Sequence, residues 1–295
     1  MQSAEQTNYE HLSWRAAPRV LGDGAVWPGL YAVGTLGLLA LIAGLPIGDV
    51  DRWRAVLSGA FVLLCAQGGY LLDRAKVSAT RLDPADRAAN PSRFRLFDGR
   101  GRAIRVFVIV ELAAAAAVAL FIEPWLALVP IGTGIGVTLY AGRPANTGHP
   151  RPKDLAFLKG PLIASAHLAL AGAALGAIFG RGTLTASPTW VAAVCVWLIV
   201  LGDATVCDLD DADSDRAFGT RSVPVLLGER SAWGIAWACA VGASGLAWLN
   251  AGQCLGVPLA LCMGSTLVIA MLLPSRKDFI DARLIAITAV CIAFA

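Results

Sequence analysis

The stretch CDLDDADSDRAFGTRSVPVLLG, residues 207–228, concentrates negative charge directly after one of the most apolar runs of the chain. Five carboxylates fall within eight residues there: Asp208, Asp210, Asp211, Asp213 and Asp215. On a helix, Asp208, Asp211 and Asp215 lie within about 60° of one another, whereas Asp210 and Asp213 point roughly the other way. Three carboxylates on one stripe repel each other unless a cation holds them. Mg²⁺ commonly joins one or two carboxylates to substrate phosphates, so the spacing predicts a magnesium site.

Two other interpretations of these aspartates are a solvated acidic linker and an EF-hand. Asp211, Asp213 and Asp215 match the first three ligand positions of an EF-hand loop. Arg216 stands where that loop needs Gly, however, and Ser222 stands where it needs Glu. The EF-hand is therefore excluded, whereas the acidic linker stays open on the spacing alone.

The whole chain has the composition of a membrane protein. Hydrophobic residues make up 57% of it and charged residues 15%, with a mean hydropathy of +0.64. Soluble domains are roughly 45–50% apolar and about 25% charged. A spanning helix needs about 20 mostly apolar residues. Such stretches occur near 29–47, 55–72, 104–122, 125–141, 158–179, 189–207, 232–249, 255–273 and 278–295.

These stretches predict an all-α, polytopic integral-membrane bundle of about nine transmembrane helices. Residues 1–28 form an N-terminal cytoplasmic segment in this prediction, and residues 29–295 form a single transmembrane domain. If nine spans alternate, 21 of the 24 Lys and Arg residues fall on the side of the N-terminus. Such a bias marks the cytoplasmic side of a plasma or inner membrane. The polar loops 73–103, 142–159 and 208–231 are therefore expected to be cytoplasmic, and they are also expected to be helical. The net charge of +3 does not indicate nucleic-acid binding.

In this context DLDDADSDRAFGTRSVPVLLG resembles the second aspartate-rich motif of the UbiA superfamily of intramembrane prenyltransferases. That motif reads DxxDxxxD, then a Gly, a basic residue, a small residue and an apolar run to LLG. Its positions are filled here by Asp208, Asp211, Asp215, Gly219, Arg221, Ser222 and Gly228. The resemblance covers the whole chain. It implies that Asp208, Asp211 and Asp215 hold Mg²⁺ on the diphosphate of an isoprenyl substrate.

The first aspartate-rich motif departs from the family pattern. The family has NDxxDxxxD at the end of span two, where this chain reads GGYLLDRAKV. Gly69 and Tyr70 stand where Asn and Asp would be, and Val77 stands in place of the last Asp, so Asp73 alone remains, followed by Arg74. The resemblance therefore implies a metal-ligand role for Asp73 and leaves the number of metals open. Tyr70 is expected to shape the pocket or to stabilise a cation through its ring.

Basic and aromatic residues of the cytoplasmic loops complete the expected site. LYAGRPANTGHPRPKDLAFLKG resembles the family segment that leads from a Tyr to a Lys at the start of span five. This implies substrate contacts by Tyr140 and Lys159, with Lys159 acting as a mobile charge on the diphosphate. A snorkelling lysine at a helix end is the alternative for Lys159. Arg74, Arg93 and Arg221 are the further cationic contacts expected with the substrate.

The resemblance implies an enzyme that ionises an isoprenyl diphosphate, with Asp73, Asp211, Asp215 and Lys159 as catalytic residues. Three functions remain open: transfer of the prenyl group to a lipophilic, aromatic acceptor, intramolecular cyclisation as in UbiA-type terpene cyclases, and non-catalytic lipid binding or transport. A dry cavity in the bundle protects an allylic cation from water. The intramembrane His167 is expected to line this cavity, to act as a base, or to pack through a hydrogen bond. The expected partners are thus an isoprenyl diphosphate, a lipophilic acceptor and the lipid bilayer.

Overall fold

The computed structural model describes residues 21–75, 100–141 and 150–294 of the 295-residue chain. Within these ranges lie nine α-helices of 14 to 32 residues and no strand. They are α1 (Val26–Ile42), α2 (Arg52–Ala75), α3 (Gly101–Ile122), α4 (Leu128–Ala141), α5 (Lys159–Phe179), α6 (Ser187–Phe218), α7 (Glu229–Ala251), α8 (Gln253–Leu272) and α9 (Lys277–Phe294). Turns of 3-10 helix and a short helix, Val223–Leu227, lie between some of them.

Six of these helices, namely α2, α3, α5, α6, α7 and α8, are long and apolar enough to cross a membrane. Helix α1 and the segment Pro124–Tyr140 are apolar but shorter. Helix α9 has 18 residues and carries charged residues in its first two turns. The length and hydropathy of the six helices identify an integral membrane protein. The crossing of the membrane by all nine helices stays a prediction.

Each predicted apolar stretch largely coincides with one of these helices, and two boundaries differ from the prediction by more than three residues. The first stretch was expected to reach residue 47, whereas α1 ends at Ile42. Gly44 then adopts a left-handed conformation with φ 66°, and Pro46 cannot continue a helix. The sixth stretch was expected to end at 207, whereas α6 continues to Phe218 and stops at Gly219, whose φ is 80°. The aspartates at the start of the polar segment 208–231, which was expected to be helical, therefore lie on the last three turns of α6 itself.

Helix α1 packs mainly against four other helices, α2, α5, α6 and α9. Small residues permit this close approach, because a Cβ atom on Gly34 would lie only 2.9 Å from the backbone of Ile285 in α9. The hydroxyl of Thr288 in α9 donates a hydrogen bond of 3.0 Å to the Gly34 carbonyl. In lipid, such close packing and interhelical hydrogen bonds hold helices together. Helix α1 thus fixes the spacing of the helices that carry the polar residues described below.

The chain direction brings polar residues of several helices to one end of the bundle. Helix α6 ends there, and α5 and α9 begin there, because Lys159 and Lys277 both pair with Asp211. Helix α2 also ends there, since Asp73 pairs with Lys153, which lies just before α5. We call this end of the bundle the carboxylate end.

A candidate active site at the carboxylate end

Three aspartates of α6 share one lysine of α5. The Nζ atom of Lys159 lies 2.8 Å from an oxygen of Asp208, 3.0 Å from Asp215 and 3.7 Å from Asp211. Asp208 and Asp215 are only 4% and 8% exposed, so water screens these ion pairs weakly. The i, i+3, i+7 spacing thus places the three carboxylates on one face, as the sequence predicts.

A second lysine, absent from the residues expected at the site, reaches the same face. Lys277 is the first residue of α9 and pairs with Asp211. Asp211 therefore lies between two ammonium groups, those of Lys159 and Lys277. The sequence signal for Lys277 is weak: it is one of two adjacent basic residues directly before the last apolar stretch, a common feature of span ends.

The two aspartates on the other side of α6 differ from each other. The Asp210 carboxylate accepts hydrogen bonds from the backbone N–H of Arg276 at 2.6 Å, from that of Lys277 at 3.2 Å and from the Arg276 guanidinium at 2.9 Å. Asp210 therefore caps the start of α9, where backbone N–H groups lack helical partners. Asp213 is exposed and pairs with Arg216 at 2.9 Å. Asp210 thus helps to position Lys277, whereas Asp213 lies at the surface.

Asp73 lies at the end of α2, as expected, and has a lysine as its partner. The Nζ atom of Lys153 donates to an Asp73 oxygen at 3.3 Å. The same ammonium lies 5.8 Å from the ring centroid of Tyr140, close enough for a cation–π contact. Lys153 was not among the expected site residues, because an isolated lysine in a polar loop carries no pattern. Lys153 contacts two of the expected site residues, Asp73 and Tyr140.

Asp154 anchors the turn before α5 to the end of α6. It accepts hydrogen bonds from the Arg151 guanidinium at 2.7 and 2.9 Å and from the Thr220 hydroxyl at 2.7 Å. Its backbone carbonyl accepts the N–H of Arg221 at 3.3 Å. Burial by itself raises the pKa of Asp154, but the hydrogen bonds from Arg151 and Thr220 outweigh it, so the pKa lies below its ordinary value. These bonds hold the turn that carries Lys153, and the start of α5 that carries Lys159, against the end of α6.

The three expected arginines have different positions. Arg74 is 8% exposed and donates to the backbone carbonyls of Gly22 and Asp23 at 2.9 and 2.6 Å, so it holds the chain before α1. Arg221 has an exposed side chain beside the Asp154 turn. Arg93 lies outside the described residues. A substrate contact by any of them stays a prediction.

The oxygen donors at the carboxylate end fit a hard divalent cation. Carboxylates suit Mg²⁺, and one or two of them suffice when substrate phosphates supply further oxygens. As they stand, no three His, Cys, Asp or Glu side chains of the described ranges are placed to coordinate a metal alone. The oxygens of Asp208, Asp211 and Asp215 instead surround the Lys159 ammonium, so the space common to them already holds positive charge. These three aspartates would therefore hold Mg²⁺ jointly with a phosphate ligand.

Comparison with known proteins identifies the fold. No protein-family model and no curated protein sequence matches the chain. The structure of a UbiA homologue from Aeropyrum pernix K1 aligns with 91% of this chain and 97% of that chain, at 19% identity and a TM-score of 0.65. A UbiA homologue from Archaeoglobus fulgidus bound to GPP and Mg²⁺ aligns with 92% and 96%, at 16% identity and a TM-score of 0.62. The chain has the UbiA-type fold. A digeranylgeranylglyceryl phosphate synthase aligns with 95% and 97%, at 19% identity and a TM-score of 0.52.

A cavity of about 170 Å³ opens in this UbiA-type bundle between α5 and α6. Lys159 and Asp208 line it, and most of its remaining wall is apolar. Ser222 also lines it, and the Ser222 hydroxyl is buried with no hydrogen-bond partner in the described part of the chain. A wider depression of about 640 Å³ near Glu229 and Trp233 includes none of the residues expected at the site.

Deeper in the UbiA-type bundle lies a second set of polar residues, which we call the inner layer. It consists of Tyr31 in α1, Tyr70 in α2, His167 in α5, Asp203 in α6 and Arg283 in α9. The last four lie three to eight residues along their helices from Asp73, Lys159, Asp208 and Lys277, respectively. At 1.5 Å per residue, they are roughly 5–12 Å deeper than the carboxylate end.

Hydrogen bonds and ring contacts connect the inner layer. The Tyr70 hydroxyl lies 3.3 Å from Nε2 of His167, and the Tyr31 ring meets the His167 ring edge-on at a centroid distance of 5.2 Å. The Tyr31 hydroxyl donates to Asp203 at 2.8 Å, and Asp203 pairs with Arg283. Of these residues the sequence singled out Tyr70 and His167. Charged residues inside apolar stretches are the signal that could have found Asp203 and Arg283.

Proposed function

We propose that the chain is a Mg²⁺-dependent enzyme of the UbiA superfamily that ionises an isoprenyl diphosphate inside the membrane. The prenyl group is then transferred to a lipophilic, aromatic acceptor. One observation carries this proposal: Asp208, Asp211 and Asp215 share Lys159 at the end of an apolar helical bundle. Such a site can hold a divalent cation together with its anionic ligand, while the apolar bundle accommodates a hydrocarbon tail.

Each charged group at the carboxylate end has a role in this reaction. Mg²⁺ held by the three aspartates of α6 would neutralise the diphosphate and stabilise the charge that develops on it as the C–O bond breaks. Asp208, Asp211 and Asp215 bind the cation. Lys159 and Lys277, which already contact these carboxylates, supply further positive charge to phosphate oxygens. The apolar helices exclude water, which would otherwise capture the allylic cation.

In this proposal a lysine balances the one carboxylate that is left in the first aspartate-rich motif. Asp73 is the carboxylate that remains of that motif, and its pairing with Lys153 cancels charge that would repel the diphosphate. The ring of Tyr140 lies beside the ammonium group of Lys153, and Tyr140 contacts the substrate in this proposal. Asp73 remains a proposed ligand of a second Mg²⁺, with water molecules in the vacant positions.

The structural relatives support the same class of substrate. The UbiA homologue from Archaeoglobus fulgidus has been solved with GPP and Mg²⁺ and with DMAPP and Mg²⁺. That homologue shares the fold of this chain over most of its length. The charge bias of the loops supports a carboxylate end that faces the cytoplasm, where soluble isoprenyl diphosphates have access to it.

Intramolecular cyclisation of the prenyl diphosphate is the second candidate function. The observation in its favour is the inner layer, where the rings of Tyr31, Tyr70 and His167 cluster below the proposed diphosphate site. Aromatic faces stabilise cations, and a cyclase must stabilise a cation that moves along its own substrate.

Product analysis separates these functions. The purified protein is incubated with Mg²⁺ and with geranyl, farnesyl or geranylgeranyl diphosphate, with and without a hydroxylated aromatic acceptor. Transfer predicts a prenylated acceptor, and cyclisation predicts a cyclic hydrocarbon or alcohol without acceptor. Substrate that binds but stays intact under every condition would contradict both and favour a lipid-binding protein.

A further inference from the structure

The inner layer contains a buried base with a free nitrogen. His167 is 6% exposed, and its Nδ1 atom has no hydrogen-bond partner among the described residues. Building on the ionisation step of the proposed function, we infer that His167 accepts the proton that ends an intramolecular cyclisation of the prenyl chain. The product is then a cyclic olefin, so this inference specifies the second candidate function, cyclisation, in place of transfer to an acceptor.

The hydrogen bond at the other ring nitrogen leaves Nδ1 able to accept a proton. Nε2 lies 3.3 Å from the Tyr70 hydroxyl and can donate its hydrogen to that oxygen. In this tautomer Nδ1 carries a lone pair. In the opposite tautomer Nδ1 would be a buried N–H without an acceptor, an arrangement that is rare in folded proteins. The tautomer that leaves no buried N–H without an acceptor is therefore also the tautomer in which Nδ1 can act as a base.

The depth of His167 decides which carbon it can reach. His167 lies eight residues after Lys159 on α5, which corresponds to about 12 Å along the helix axis. If Lys159 contacts the diphosphate and the hydrocarbon tail extends into the bundle to this depth, the imidazole lies beside the tail, far from the carbon that carries the diphosphate. If an acceptor attacked the carbon that carries the diphosphate, the base that removes the proton of the acceptor would be expected near Lys159 instead. The position of His167 therefore favours proton loss from the tail.

Two tyrosine rings flank the same place. The Tyr31 and Tyr70 rings have centroids 5.2 and 6.1 Å from that of His167. A carbocation within about 6 Å of such a ring face is stabilised by the ring quadrupole. Tyr31 is held by its hydrogen bond to Asp203, so its ring has a fixed direction. The two rings can therefore stabilise a cation in the tail, and His167 can remove a proton from it.

The proposed steps balance without a further reactant. Cleavage of the C–O bond gives diphosphate and an allylic cation. The electron pair of a double bond in the tail forms a C–C bond to the first carbon, which moves the positive charge into the tail. The lone pair of Nδ1 then takes a proton from the carbon next to the charge, and the C–H electron pair becomes a new double bond. The sum is one cyclic olefin, one diphosphate and one proton held by His167.

The experiment compares His167→Gln with the wild type, using the purified full chain, Mg²⁺ and the three prenyl diphosphates without acceptor. Diphosphate release and products are measured together. Gln can keep a hydrogen bond to Tyr70 but has no basic nitrogen. We expect diphosphate release to stay within about threefold, and the olefin to fall about a hundredfold relative to alcohols formed by water capture. Added imidazole should restore the olefin in His167→Ala, an effect that a purely structural histidine would not produce.

Thr288→Val is the matched control, because it also removes a buried polar group and should leave the products unchanged. An unchanged olefin yield in His167→Gln would overturn the inference. Wild-type release of diphosphate that needs an acceptor would overturn it too, while leaving the proposed transfer intact. Absence of release under all conditions would overturn both the inference and the proposed function.

Discussion

Replacing Asp203 with Asn should destabilise the protein strongly, because it removes the negative charge from a buried ion pair. Asp203 and Arg283 are 2% and 3% exposed. The Asp203 carboxylate pairs with the Arg283 guanidinium and accepts the Tyr31 hydroxyl at 2.8 Å. Arg283 also donates to the Thr266 hydroxyl at 3.0 Å. The four residues belong to α1, α6, α8 and α9, so the pair fixes four helices around the candidate site.

The magnitude follows from the burial of the pair. Removing one partner of a buried ion pair costs about 3–5 kcal/mol, because the other charge remains without compensation. That cost lowers the ratio of folded to unfolded protein by roughly two to four powers of ten. Replacing both partners by apolar residues of similar size is often neutral or stabilising. The double variant Asp203→Leu/Arg283→Met should therefore be much more stable than Asp203→Asn.

The assay is reversible unfolding in mixed micelles with increasing SDS, followed by tryptophan fluorescence, since the chain has nine tryptophans. Asp213→Asn is the matched control, because the pair of Asp213 with Arg216 is exposed and such pairs contribute little. Unfolding of Asp203→Asn at the wild-type SDS fraction would contradict this stabilising role of the ion pair. A double variant less stable than the single one would contradict it too.

Three further predictions concern the carboxylate end. Asp215→Asn should lower diphosphate release about a hundredfold, while Asp213→Asn should leave it unchanged; equal rates would contradict the one-face arrangement. The stability supplied by the Asp154 carboxylate should be present at neutral pH. It should be lost as the pH falls from 3.8, the ordinary pKa of an aspartate, through the lowered pKa of Asp154. Asp154→Asn should therefore show a weaker loss of stability on acidification, measured by unfolding at each pH, and an unaltered acid dependence would be inconsistent with this. A cysteine introduced at Ser214 should react with an impermeant reagent from the cytoplasmic side of sealed vesicles, and labelling from the outer side alone would contradict the predicted orientation.

The arrangement of the α6 aspartates could be predicted because helical geometry is local. The spacing of Asp208, Asp211 and Asp215 fixes their common face wherever the helix runs. Asp210 was correctly expected on the other side, but its capping of α9 depends on a distant segment. The helical continuation to Phe218 was not predicted as part of the span, because hydropathy falls where the aspartates begin, whereas the backbone hydrogen bonds continue.

The partners of these aspartates could not be predicted from spacing. Lys153 and Lys277 lie in short polar segments beside apolar stretches, and many other basic residues share that description. Their roles arise from the chain direction at the ends of α2, α5 and α9. Asp203 and Arg283 carried a stronger signal, since each is a charged residue within an apolar stretch. Their pairing follows from the packing of α6 against α9, which no local pattern fixes.

The most direct test of the central claim is the Mg²⁺-dependent binding of a geranyl diphosphate analogue with a non-ionisable thiolodiphosphate group. Binding is measured by titration calorimetry on the detergent-purified wild type and on Asp211→Asn, with Mg²⁺ and with EDTA. If Asp208, Asp211 and Asp215 hold Mg²⁺ on a diphosphate, the wild type binds in Mg²⁺ and not in EDTA. Asp211→Asn then loses most of the binding in Mg²⁺. Equal affinity in EDTA, or an unaltered Mg²⁺-dependent affinity in Asp211→Asn, would contradict the assignment of the carboxylate end as the metal and diphosphate site.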